Sequence, residues 1–133
     1  MPLHCLDSSA WIECLDQGPN TQHFAPILKQ LPDLLVPSIV IVEVRKVILL
    51  QRSRSEADQV TDSMQSCQVI DLSPVLAALA ADWSVEHKLS LADAIIYASI
   101  SKINSTLWTQ DQHFEGLPNV RYFPKIKTKK LQG

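Results

Sequence analysis

The chain has 133 residues, of which 46% are apolar and 20% charged, with a formal net charge of −2. That length can bury a continuous core without disulfide or metal staples, and the composition lies far from that of a disordered chain. The near-neutral charge neither requires nor excludes a polyanionic partner, and the longest apolar stretch, Ile39 to Leu50, is interrupted by Glu43, Arg45 and Lys46, so it cannot span a bilayer that needs roughly 20 apolar residues.

Met1 to Leu15 has no basic leader and contains Asp7 and Glu13, so it does not read as a secretory signal. Cys5, Cys14 and Cys67 are odd in number, fit no CxxC spacing and sit in apolar surroundings, which suits reduced thiols in a cytoplasm. One domain over residues 1–133 is expected, with only the lysine-rich end from about residue 125 to 133 loosely ordered.

In chain order, Leu3 to Leu6 reads as a short strand ending at Asp7, and Ser8 and Ser9 then cap a helix through Leu15. Gly18, Pro19 and Asn20 punctuate, and Phe24, Ile27, Leu28 and Leu31 have helical spacing over Thr21 to Leu31. Leu34 to Val36 is a brief strand closed by Pro37. Ser38 caps a long helix to about Ser53, with Val40, Val44, Val47, Ile48 and Gln51 along one stripe. Ser55 to Ser66 predicts a surface helix that buries Ala57, Val60 and Met64. Cys67 to Leu72 predicts a buried strand, and Ser73-Pro74 opens a helix to about His87, proline being suited to a first turn. A further helix runs from Ser90 through Ile103, followed by a strand over Thr106 to Thr109, a helical turn over Asp111 to Glu115 and a last strand over Val120 to Phe123. Strands alternating with helices predict an α/β fold with a mostly parallel sheet of about five strands, because parallel neighbours need helical crossovers.

In open parallel sheets, ligands bind beyond the carboxyl ends of the strands. Asp7 and Asp111 fall at two such ends, so both should rise from one edge of the sheet. Glu43 interrupts the apolar run SIVIVEVRKVILL, and Asp93 sits near a helix start in SLADAIIYASI. An ionised carboxylate facing a low-dielectric interior costs several kcal/mol unless paired, hydrogen-bonded or metal-bound. A cluster of hard oxygen ligands is what Mg²⁺ or Mn²⁺ takes. Each acid also has a plainer reading. Asp93 can complete a capping box with Ser90, Asp111 can cap the short helix containing Phe114, Asp7 can be a turn residue, and Glu43 can pair with Arg45 or Lys46.

Four segments, LDSSAWIE, PSIVIVEV around Glu43, LSLADAIIYA around Asp93 and LWTQDQHFEGLPNVRYF around Asp111, together resemble the PIN-domain nucleases, VapC-type toxins in particular, over nearly the full length. The resemblance implies a three-layer α/β/α domain in which Asp7, Glu43, Asp93 and Asp111 bind Mg²⁺ or Mn²⁺ and cleave RNA. It also implies homodimers and a cognate VapB-type antitoxin whose C-terminal segment occupies the groove. Ser8 and Thr109 are candidates to hydrogen-bond the acids, and Arg45 and Lys46 to flank a phosphate track. Where similar sequences sometimes carry another acid, two residues after the last one, this chain has His113, so its set is four carboxylates rather than five. His4, His23, His87 and His113 show no paired metal spacing, and His4 reads as structural. Two other functions fit the same element pattern. One is a signalling receiver phosphorylated on Asp71, with Lys125 as its switch lysine, although Asp7 lacks the adjacent acid that such a domain wants. The other is a module that keeps the fold and partner surface but no longer cleaves.

Overall fold

The computed structural model describes residues 3–127. Five strands form one sheet, β1 (Leu3–Leu6), β2 (Leu35–Pro37), β3 (Gln68–Ile70), β4 (Ser105–Thr109) and β5 (Val120–Tyr122). All four pairings are parallel, in the order β3-β2-β1-β4-β5. The helices are α1 (Ser8–Leu15), α2 (Thr21–Leu28), α3 (Ser38–Gln51), α4 (Arg54–Gln65), α5 (Pro74–Glu86) and α6 (Leu91–Ser101), with a 3₁₀ turn over Gln112–Phe114. The chain steps outward from β1 to β3, then crosses back through α5 and α6 to β4. Because right-handed crossovers of opposite direction lie on opposite faces, the result is a three-layer α/β/α arrangement. The sheet order reverses between β1 and β4, and that switch point is where an open α/β sheet leaves a crevice.

The core follows the apolar pattern of the elements. Cys5 and Leu6 on β1, Leu35 and Val36 on β2, Leu107 on β4, Val40, Val44 and Ile48 on α3, and Ala94, Ile96, Ala98 and Ile100 on α6 are all buried. Burial pushes the Cys5 thiol up, and all three cysteines are free. On α4 Ala57 and Met64 are buried and Val60 is half-buried, as the spacing predicts.

Several expectations are corrected. β3 is shorter than Cys67 to Leu72 and is not a buried strand: among the described residues it lies at the sheet edge, pairs only with β2, and leaves Gln68 and Val69 exposed. The helix after Pro19 stops at Leu28, and Leu31 is exposed, since a residue before proline is pushed out of helical geometry. Ser8 is not the cap of α1: Asp7 is, accepting from the Ala10 N–H at 2.9 Å. Likewise Ser38 is the first residue of α3, preceded by Pro37 with no side-chain cap, and Gln51 at the end of its stripe is exposed. Ser90 caps α6 as the sequence suggests, but the helix ends at Ser101.

The topology also removes the receiver reading. Flavodoxin-like receivers use the order 2-1-3-4-5, whereas here the third strand is at an edge and Asp71, just beyond it, is exposed. The expected loose end, residues 125–133, lies outside the described residues from 128 onward; residues 125–127 are exposed and have no regular secondary structure.

Candidate functional site

The carboxyl ends of β1 and β4 bring Asp7 and Asp111 together, and the second turn of α3 and the first turn of α6 bring Glu43 and Asp93 to the same place. All four acids line one cavity of about 270 Å³, along with Ser8, Ser9, Gln110 and Lys125. Register explains the first pair: Leu6 on β1 is opposite Trp108 on β4, so the residues that follow leave the sheet side by side.

Asp7 is the most enclosed, at 2% exposure. Its Oδ1 accepts from the Ser9 hydroxyl at 2.7 Å and the Ala10 N–H at 2.9 Å, and its Oδ2 accepts from the Thr109 hydroxyl at 2.6 Å. Burial pushes its pKa up to about 6, and repulsion from Asp111 adds to this, while the three hydrogen bonds pull it down. Thr109 also accepts from the Asp111 N–H at 2.9 Å, so one hydroxyl ties two acid-bearing strand ends together. Asp93 is half-buried, with its pKa raised to about 6 first by burial, then by the charges of Asp111 and Asp7; its N–H donates to Ser90. The capping reading for Asp93 and Asp111 is therefore compatible with a place in the cavity. Glu43 accepts from the Ser8 hydroxyl at 2.6 Å.

His113 and Lys125 are the residues that sequence reasoning underrated. Asp111 Oδ1 accepts from the His113 N–H at 2.9 Å and lies 2.7 Å from its Nδ1. Asp93, Asp111 and His113 each offer one ligand atom within 4.8 Å of the others, whereas Asp7 and Glu43 line the cavity without joining that tight set. The signal for His113 was its place two residues after an N-capping acid, where a 3₁₀ turn folds the ring back. No local signal marks Lys125, whose position depends on a contact made by Asn20, far away in sequence.

Arg45 and Lys46 are not at this cavity. On a helix a residue two along from Glu43 is turned by about 200°, and Arg45 instead pairs with Asp58 at 2.8 Å and donates to Thr61 on α4. Lys46 lines a separate apolar hollow with Ile41, Val42, Leu49 and Leu50. His4 is structural, its Nδ1 accepting from the Trp108 indole at 3.0 Å.

Among the described residues, Asp7, Glu43 and Asp93 have no ion-pair partner, and Asp111 has only His113. Converging carboxylates, two of them, Asp7 and Asp93, with raised pKa values, and no Lys or Arg ion pair among the described residues suit a hard divalent cation. The residues present fit Mg²⁺ or Mn²⁺ on the chemistry of their donors.

A family model described as PIN domain matches residues 4–119. No curated protein matches the chain by sequence. Among solved structures, a toxin-antitoxin complex from Klebsiella pneumoniae is 22% identical with a TM-score of 0.75, over 92% of this chain and 99% of that one. A DNA-bound VapBC from Salmonella typhimurium is 16% identical with a TM-score of 0.69, over 93% and 98%. VapC20 from Mycobacterium tuberculosis, a sarcin-ricin loop cleaving toxin, is 19% identical with a TM-score of 0.61, over 74% and 82%. At these identities the likeness is one of fold.

Proposed function

Because the chain belongs to the PIN domain family, we propose that it is a divalent-metal-dependent endoribonuclease, the VapC-type toxin of a toxin-antitoxin pair, acting in the cytoplasm. Its proposed partners are RNA as substrate, a VapB-type antitoxin and a second copy of itself. The observation that carries the reading is the meeting of Asp7, Glu43, Asp93 and Asp111, from four separate elements, in one cavity where three of them have no ion-pair partner among the described residues. The neighbouring folds, two of them toxin-antitoxin or VapBC complexes and one a sarcin-ricin loop cleaving toxin, support the biological setting.

Asp93, Asp111 and His113 would hold Mg²⁺ or Mn²⁺ directly, with Asp7 and Glu43 as ligands directly or through water. When bound, the ion lowers the pKa of water and neutralises charge developing on the phosphate oxygens. Asp7 is kept ionisable inside the protein by Ser9, Ala10 and Thr109, whose donated hydrogen bonds favour the carboxylate. Glu43, fixed through one oxygen by Ser8, orients the attacking water and accepts its proton. No side-chain nucleophile is needed for phosphodiester hydrolysis of this kind.

The test is cleavage of RNA by the purified protein in Mn²⁺ and in EDTA, read beside growth on expression. Cleavage in Mn²⁺ alone is expected, with Glu43→Gln slowing it by about 10²–10⁴-fold, in the range of a lost general base. Asp7→Ala and Asp111→Ala should relieve growth arrest while the proteins stay folded. A wild type that neither cuts RNA nor binds Mn²⁺, and is as harmless as its variants, would mean a silent module instead.

A further inference from the structure

An RNA strand that reaches the acid cavity must leave it, and the carboxylates repel each neighbouring phosphate. On the α1, α3 and α6 side the lining is Ser8, Ile12, Glu43, Asp93 and Ile96, with no lysine or arginine among the described residues. On the other side the cavity continues into a groove of about 520 Å³ that shares Ser9, Gln110, Asp111 and Lys125 and adds Lys127 and His113. The chain that leads into these two cations is anchored up to Pro124. The buried Asn20 donates to the Pro124 carbonyl at 2.9 Å and to Gln110 Oε1 at 3.0 Å. The Phe123 N–H donates to the Thr109 carbonyl at 2.9 Å, and the Phe123 ring stacks on His23. The segment after β5 is thereby held next to β4, with Lys125 on both cavities and Lys127 on the outer one.

We propose that this groove holds the backbone of single-stranded RNA beside the scissile phosphate, with Lys125 and Lys127 each neutralising one phosphate. The inference rests on the nuclease reading above and adds the direction in which the strand runs: over the segment that follows β5, away from Glu43. Lysines suit this role because a point charge on a flexible stem neutralises a phosphate without reading the base. The groove therefore contributes affinity and a path for the strand, without base selection.

The experiment is the salt dependence of binding to a fluorescently labelled single-stranded oligoribonucleotide, in a cleavage-deficient Glu43→Gln background with Mn²⁺. Each single-strand phosphate contact contributes about 0.7 to the slope of log affinity against log salt. The double variant Lys125→Ala/Lys127→Ala is expected to lower that slope by about 1.4, and Lys125→Arg/Lys127→Arg to restore it. Lys88→Ala/Lys102→Ala, the same charge change at exposed sites outside both cavities, should leave the slope as it is. A slope unchanged in the Lys125/Lys127 pair, while the wild type cleaves RNA, overturns the groove and spares the nuclease reading. The same holds if RNA binding is unchanged but binding of a poly-glutamate peptide is lost, which would assign the groove to an acidic protein segment. A wild type that neither cleaves nor binds the oligoribonucleotide overturns both.

Discussion

Thr109 shows how much of the site depends on single hydroxyls. It donates to Asp7 Oδ2 and accepts from the Asp111 N–H, so Thr109→Val, nearly the same shape, strands a buried carboxylate oxygen and a backbone amide at once. The expected cost is about 1–3 kcal/mol, measured by urea unfolding. A second effect separates this from a general loss of packing. The Thr109 hydrogen bond lowers the Asp7 pKa, so removing it raises that pKa, and the acid limb of the cleavage–pH profile should move to higher pH. Ser8, bonded to Glu43 rather than to an ion, is a positioning residue of the same kind.

At the scale of elements, Asp7, Asp93 and Asp111 are carried by the ends of strands and the starts of helices, where backbone groups are unpaired, while Glu43 lies one turn further into α3. Asp7 and Asp111 are N-caps as well as candidate ligands, and Asp93 lies in the first turn of α6. The N-terminal charge of a helix favours an anion there, so caps and site need not compete. Ser90→Ala removes the hydroxyl that accepts from the Asp93 N–H and should cost about 1 kcal/mol in thermal or urea unfolding. It also removes a hydrogen bond that lowers the Asp93 pKa, so Mn²⁺ binding at slightly acid pH should weaken more than Mn²⁺ binding at neutral pH.

For the whole molecule, the acid cavity sets how stability responds to pH and metal. Asp7 and Asp93 both have pKa values raised to about 6, above their ordinary value of 3.8. Between those two values the folded protein holds more protons than the unfolded chain, so the stability of the metal-free protein falls as pH rises through this window. For the buried Asp7 alone the loss is about 3 kcal/mol. Metal ligation needs the ionised carboxylates, so Mn²⁺ affinity should rise over the same window. Thermal melts in EDTA should therefore drop from about pH 4 to pH 7, and Mn²⁺ at about 100 times its Kd should add back about 2.7 kcal/mol at pH 7. A metal-free melting temperature that climbs across that range would show that the two acids are not held protonated by burial and mutual repulsion.

The sequence by itself determined the α/β class, the number of strands, most element positions and the identity of four unusual acids, because hydrophobic period, capping residues and a carboxylate inside an apolar run are local signals. It misjudged β3 because an apolar run does not say whether a strand has one neighbour or two. Only the tertiary structure decided that β1 and β4 are adjacent, which brings Asp7 and Asp111 side by side, that Arg45 is turned away from Glu43 to Asp58, and that His113 and Lys125 face the acids. These depend on strand order and on a hydrogen bond between Asn20 and Pro124, contacts between residues up to about a hundred positions apart whose energies leave no mark on neighbouring sequence.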